Sequence, residues 1–334
     1  MSALWVRSLA AILCGALCAG AGAQVAHEPP PVWAFAVDPP SEQLTTPAPG
    51  PAPALAADDT PRYVPGSAAA FTLAQIDDLF NVPDWHPSDH AAMPEVVSRG
   101  SAPELFACGY CHLPNGLGRP ENASLAGLPV GYIERQIAAF SQGLRKSSEP
   151  RDLPAALMIT VASSATAQDI DAAAQYFSAL KPQPWIRVVE ARSVARMQVS
   201  GWMLVPAAAG GMEAIGARIL ETPENLERTE LRDDRSGFIA YVPRGGISKG
   251  RALVSSGGAG KTIACAICHG LQLRGLGNVP ALAGRSPSYI VRQLYDIQSG
   301  ARAAVDTQLM KAVVARLSVS DMVSIAAYTA SLAP

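Results

Sequence analysis

Charge and aromatic rings are both scarce in this chain. Asp, Glu, Lys and Arg make up 16% of its 334 residues, and Phe, Trp and Tyr 6%. The 26 basic and 28 acidic residues nearly cancel, and no basic tract interrupts the sequence, which excludes a nucleic-acid binder held by phosphate contacts. Past the N-terminus, no run is long and apolar enough to cross a bilayer. Cysteine is scarce too, with six residues.

The first 23 residues read as a secretory signal peptide. Arg7 supplies one positive charge, an apolar stretch runs from Leu9 to about Leu17, and Ala21-Gly22-Ala23 forms a small-x-small cleavage site before Gln24. The alternative is an uncleaved anchor, for which the apolar run is short. Cys14 and Cys18 fall inside this segment without a lipobox-like context. Export to the periplasm would leave Cys108, Cys111, Cys265 and Cys268. Exported cysteines usually pair as disulfides, but here each pair is followed directly by histidine.

Residues 24–70 are rich in Pro and Ala, have no apolar period, and are expected to form a disordered arm. Residues 71–93 follow as a short helix (Phe71 to Phe80) and a Pro-broken loop. Two compact units are expected at 94–181 and 247–334, separated by a connector, 182–246. The connector contains two β-prone segments, 185–189 and 237–242, and a turn at Arg232-Asp-Asp-Arg235.

The two units repeat each other. An offset of 157 pairs His112 with His269, Tyr132 with Tyr289, Gln136 with Gln293, Gly143 with Gly300, and Leu125-Ala-Gly127 with Leu282-Ala-Gly284. After a loop that differs by five residues, an offset of 152 pairs Met158 with Met310, Asp169 with Asp321 and Tyr176 with Tyr328. Helices are expected over 131–140 and 288–297. Thr166-x-x-Asp169 and Ser318-x-x-Asp321 are capping-box starts for a closing helix in each unit.

Cys108-Gly-Tyr-Cys111-His112 and Cys265-Ala-Ile-Cys268-His269 both match CxxCH, the c-type haem attachment pattern. Two thiols three positions apart each form a thioether to a haem vinyl group, and the next residue places an imidazole under the iron. A lone CxxC also fits a redox dithiol or half a zinc site. Zinc needs further ligands, with no cysteine to spare, and a dithiol does not require the adjacent histidine twice. Two covalently attached haem c groups are therefore expected, with His112 and His269 as iron ligands. Met158 and Met310, at equivalent places before the closing helices, are the candidates for the sixth ligand, a soft thioether that favours reduced iron. Met93, His86, His90 and Met322 compete for that role. Met322 aligns with Ile170 and so behaves as a core position. The other three have no counterpart in the second unit. Pro280 is a candidate acceptor for the second histidine's other ring nitrogen, with Ala123 at the matching place in the first. Arg135 and Arg292, or Arg145 and Arg302, recur in register, either beside haem propionates or on solvated helix faces.

Taken together, CxxCH, Leu-Ala-Gly, Tyr-x-x-x-Gln, Gly-x-Arg, a Met and a closing helix ending near Tyr resemble the class I cytochrome c domain. Two in tandem resemble the dihaem cytochromes of the cytochrome c4 type. The resemblance covers both units and implies a mainly α fold around each haem, His/Met ligation and electron transfer in the periplasm. The arm and the connector depart from the pattern, so the mutual placement of the haems does not carry over. The expected function is an electron carrier between a donor dehydrogenase or quinol-oxidising complex and an acceptor oxidase, not an enzyme. The alternatives are a dihaem enzyme (a peroxidase or sulfur-compound dehydrogenase) and a haem subunit of a dehydrogenase complex.

Charge is also unevenly spread. Residues 24–98 carry one basic and ten acidic side chains, whereas 249–334 carry nine basic and three acidic ones. Opposite charge speeds encounter between redox partners. The second unit is therefore expected to meet an acidic partner, or else the chain's own acidic arm.

Overall fold

The computed structural model describes residues 28–37 and 58–334; the expected signal segment and residues 24–27 and 38–57 of the arm lie outside the described residues. Each repeat is built on a middle helix packed against a closing helix. In the first, Val130–Ser141 contacts both Leu153–Ser164 and Ala167–Ala179, and Ile133, Ala173, Ala174 and Phe177 form its core. In the second, Pro287–Ser299 contacts Gln308–Val314 and Val319–Ala330, with Val291, Met322, Val323 and Ala326 buried between them. These residues recur at helical spacing, so each helix offers one apolar face. Met322 is fully buried, as a core position should be.

Both closing helices begin as their sequences require. The Thr166 hydroxyl accepts from the Asp169 amide, and the Asp169 carboxylate accepts from the Thr166 amide. Ser318 and Asp321 repeat the arrangement. Asp321 is also buried and bound by Lys249 and Lys261. Burial alone would raise its pKa; Lys261, Ser318 and Lys249 together hold it below the usual carboxylate range.

A further helix, Gly246–Ser256, crosses the second closing helix at Gly250. A Cβ on Gly250 would lie 1.9 Å from the Ser324 carbonyl oxygen, so only glycine permits this approach. The first repeat has a single turn, Glu95–Ser98, packed on its CxxCH helix and closing helix.

The connector holds seven strands: β1 (Ile186–Ala191), β2 (Ser193–Ala195), β3 (Met197–Ser200), β4 (Met203–Pro206), β5 (Met212–Ala214), β6 (Leu220–Pro223) and β7 (Phe238–Pro243). β1 and β7, the two segments legible in the sequence, pair in parallel, and β6 joins β7 antiparallel. β2–β5 and β3–β4 are short antiparallel pairs. Phe238, Ala240 and Val242 alternate inward along β7. Between β6 and β7 lie the helix Leu226–Glu230 and the expected turn at 232–235.

The expectation of disorder across 24–70 does not hold for the described part of the arm. Val32–Phe35 forms a 3₁₀ turn, and Phe35 enters the core of the second repeat. Arg292 donates to the Ala34 carbonyl at 2.6 Å and the Tyr295 hydroxyl to that of Glu28. Val64 packs with Ile76, Trp85 and Leu231. Isolated apolar residues between prolines show no period, yet they order once another element offers a groove. The helix expected over 71–80 is one turn, Leu73–Ile76, opened by a Thr72–Gln75 capping box. No described helix is long and apolar enough to cross a membrane.

Asp321→Asn is expected to lower stability by about 1 kcal/mol or more, as loss of a helix cap does, and by more than Asp169→Asn. Because the folded pKa of Asp321 is depressed, its contribution is complete above its unfolded pKa of about 4 and is lost as pH falls through the lower folded value. Denaturant titrations of both variants between pH 7 and pH 3 check this, and the gap between Asp321→Asn and the parent should narrow toward pH 3.

Candidate functional site

The two CxxCH motifs sit on short helices, Cys108–His112 and Ala266–His269, with Cys265 at the N-cap of the second. Each histidine is locked in the same way. His112 Nδ1 lies 2.8 Å from the Ala123 carbonyl oxygen, and His269 Nδ1 lies 2.8 Å from that of Pro280. A carbonyl only accepts, so Nδ1 carries the proton and Nε2 keeps its lone pair. The contact to Ala123 is as good as that to Pro280, because the acceptor is backbone and indifferent to the side chain. Burial lowers the His112 pKa to about 4, and that of His269 is lowered for the same reason. Both imidazoles are therefore neutral at neutral pH, the form that binds metal.

The four cysteines form no disulfide. Burial raises Cys108 to about 12 and Cys265 to about 11, and Cys111 is raised as well. Redox dithiols and zinc thiolates depend on lowered pKa values. Among the described residues, neither motif brings three donors within reach of one ion.

In the first repeat Cys108, Cys111, His112, Met158 and Val161 line one cavity. Met158 comes from within the helix Leu153–Ser164, a helix the sequence reading did not anticipate. In the second repeat Cys265 and Met310 border the same apolar core. The competing ligands lie elsewhere. His86 Nε2 is 3.0 Å from Asp233 Oδ1, and His90 Nε2 is 3.2 Å from Asp84 Oδ1. Met93 packs on the core cluster of the first repeat and is not among the residues that line the cavity. The buried group His86, Asp233 and Asp234, not foreseen from sequence, ties the loop before the first motif to the connector.

Between the repeats runs a seam with two-fold pseudosymmetry. Arg145 and Arg302 face each other in an antiparallel bridge, with Lys146 N donating to Ala301 O and Ala303 N to Leu144 O. Arg145 donates to Gln136 Oε1 (2.9 Å), Tyr289 OH (2.9 Å) and Gln293 Oε1 (3.0 Å). Arg302 returns the pattern on Gln293 Oε1 (2.9 Å), Tyr132 OH (3.0 Å) and Gln136 Oε1 (2.7 Å). The residues paired by the offset of 157 thus meet across the seam. Of the other arginine pair, Arg135 is exposed and bound to Asp306, and Arg292 is spent on two carbonyls.

No protein-family model matches the chain. It is 28% identical over 232 residues to the thiosulfate dehydrogenase electron acceptor of Thiomonas intermedia, covering 69% of this chain and 80% of that protein. It is 30% identical to cytochrome c4 of Azotobacter vinelandii over 138 residues, 37% of this chain and 65% of that one. Among solved structures it is similar to thiosulfate dehydrogenase (TsdBA) from Marichromatium purpuratum, with a TM-score of 0.45 and 27% identity; the match covers 68% of this chain and 36% of that one. These similarities support a dihaem c-type cytochrome of the cytochrome c4-like class. This cytochrome carries electrons on two covalently bound haem c groups.

The residues present fit such a group. Apolar walls, two thiols, a neutral imidazole and a thioether surround the first cavity. Arg145 and Arg302 are each only 7% exposed and have no carboxylate partner among the described residues, and Arg302 Nε donates to nothing. Buried cations of this kind call for anions, which the propionates of a haem supply.

Arg145→Gln and Arg302→Gln are each expected to destabilise the holoprotein by about 1.5–3 kcal/mol, the usual loss for charge-assisted hydrogen bonds. Because they share Gln136 and Gln293, the double variant should depart from additivity by about 0.5 kcal/mol or more in a double-mutant cycle.

Proposed function

We propose that Cys108, Cys111 and His112, with Met158, hold one haem of this cytochrome, and that Cys265, Cys268 and His269, with Met310, hold the other. The observation that carries this reading is the paired histidine geometry, in which each Nδ1 is tied to a main-chain carbonyl at 2.8 Å and Nε2 is left for iron. When bound, each haem supplies a reversible one-electron iron couple. The protein's part is to keep both histidines neutral and oriented, to offer a soft sulfur to each iron, and to hold cations at the seam. With a histidine and a methionine both bound, each iron would have no position left for a substrate, so outer-sphere transfer in the periplasm is the reading best supported. His86 and His90 are engaged by Asp233 and Asp84 rather than poised to exchange with Met158, which argues against a dihaem enzyme.

The similarity to a thiosulfate dehydrogenase electron acceptor supports a dehydrogenase of reduced sulfur compounds as the electron donor. Ferric EPR and visible spectra of the purified protein test the carrier reading. Two low-spin His/Met signals are expected, and a high-spin haem would point instead to an enzyme.

Replacing Cys108 and Cys111 together with Ala, or Cys265 and Cys268 together, should remove one of the two haems that survive denaturing electrophoresis. Met158→His and Met310→His should each lower the midpoint potential of one haem and leave the other nearly unchanged; potentiometry followed in the visible spectrum reads this directly. Arg145→Gln should also lower a midpoint, because removing a cation favours ferric iron.

A further inference from the structure

The two CxxCH loops are the same in sequence register but opposite in exposure. In the first repeat Tyr110, Pro114, Leu117 and Arg119 are all buried. Their counterparts at the offset of 157 are Ile267, Leu271, Arg274 and Leu276, and all four are exposed, Leu271 at 95% and Ile267 at 69%.

The connector produces this difference. The Arg232 guanidinium lies 3.5 Å from the centre of the Tyr110 ring and donates to the Tyr110 carbonyl at 2.9 Å. Asn115 donates to the Asp234 carbonyl, and Leu117 packs with Trp185, Met203 and Phe238. The Tyr176 hydroxyl closes the edge on the Pro114 carbonyl at 2.6 Å. No connector residue takes an equivalent place over Ile267 and Leu271 among the described residues.

Charge marks the bare loop further. Every acid in 249–334 is already engaged: Asp296 is buried against Ser148, Asp306 binds Arg135, and Asp321 binds two lysines. Arg274 within the loop, and Lys311 next in sequence to Met310, are exposed, and neither lies within salt-bridge distance of an acid among the described residues. The bare loop therefore presents apolar side chains and the cation Arg274, while all three acids of 249–334 are engaged elsewhere.

We infer that the second CxxCH loop, with its exposed Ile267, Leu271, Leu276 and Arg274, and with Lys311 next in sequence to Met310, is the port through which this protein exchanges electrons with an acidic redox protein, and that the connector closes the equivalent port over the first haem. The inference rests on the dihaem reading above. Exposed apolar side chains need a partner surface to cover them, and charge of one sign steers an oppositely charged partner while setting its orientation.

Stopped-flow oxidation of the reduced, full-length holoprotein tests this, with an acidic blue-copper protein as acceptor and a basic monohaem cytochrome c as the mismatched control. The acidic acceptor should react faster at low salt, and its rate should fall as salt rises. Arg274→Glu and Lys311→Glu should each slow it about tenfold at low salt, and Leu271→Ser should slow it at high salt as well. Lys181→Glu, an exposed charge beside the first repeat, should leave the rate unchanged. Salt-independent rates, or equal losses in Lys181→Glu and Arg274→Glu, would overturn the port. An increase of tenfold or more on replacing Asp38 and Glu42 with Asn and Gln would also overturn it, because the face would then be covered by the chain's own acidic segment. A haemochrome assay on each variant separates the two levels: two haems with unaltered rates refute only the port, whereas absent haem refutes the underlying reading.

Discussion

Two buried guanidinium groups, Arg145 and Arg302, set the relation between the halves of this protein. Each reaches across the seam to a tyrosine and a glutamine of the other repeat and also binds the glutamine of its own. A guanidinium offers donors in a rigid planar fork and accepts nothing, so the repeats are held in one register and cannot slide without leaving donors unmet. The main-chain bridge at the same two residues enforces that register. Among the described residues neither cation has a carboxylate within salt-bridge distance, so the propionates of a bound haem would be their natural counter-charge. The relative placement of the two repeats then rests on one set of contacts.

Around this symmetric seam the repeats have diverged in what covers them. The second has a full helix, Gly246–Ser256, crossing its closing helix at Gly250. The first has one turn there and relies on the loop before its motif and on the connector. His86, Asp233 and Arg228 bind that loop to the connector through the Asp233 carboxylate. The connector is thus a cover as well as a link, and it covers only one of two otherwise equivalent motif loops. The two motif loops thereby differ in their access to solvent.

The parts legible in the sequence were those encoded within a few residues of one another. CxxCH, the Thr166–Asp169 and Ser318–Asp321 capping boxes, and the apolar faces of the middle and closing helices each depend on spacing along the chain. The repeat offset also anticipated which residues would be equivalent. It did not reveal that Tyr132, Gln136 and Arg302 would meet, because equivalence by offset says nothing about contact across a two-fold axis. The helix carrying Met158 escaped notice because its residues are apolar on nearly every side, which leaves no period to read.

The sequence by itself determined the number of attachment motifs, the pairing of their residues and the caps of the closing helices, since these are short-range properties of covalent spacing. Only the tertiary structure decided that residues 28–37 pack rather than stay disordered, that Arg145 and Arg302 rather than Arg135 and Arg292 form the buried cationic seam, and that one motif loop is closed while its twin is open. Each of these depends on what a distant segment places beside a side chain, and burial, not residue identity, sets the cost of a charge and the exposure of an apolar face.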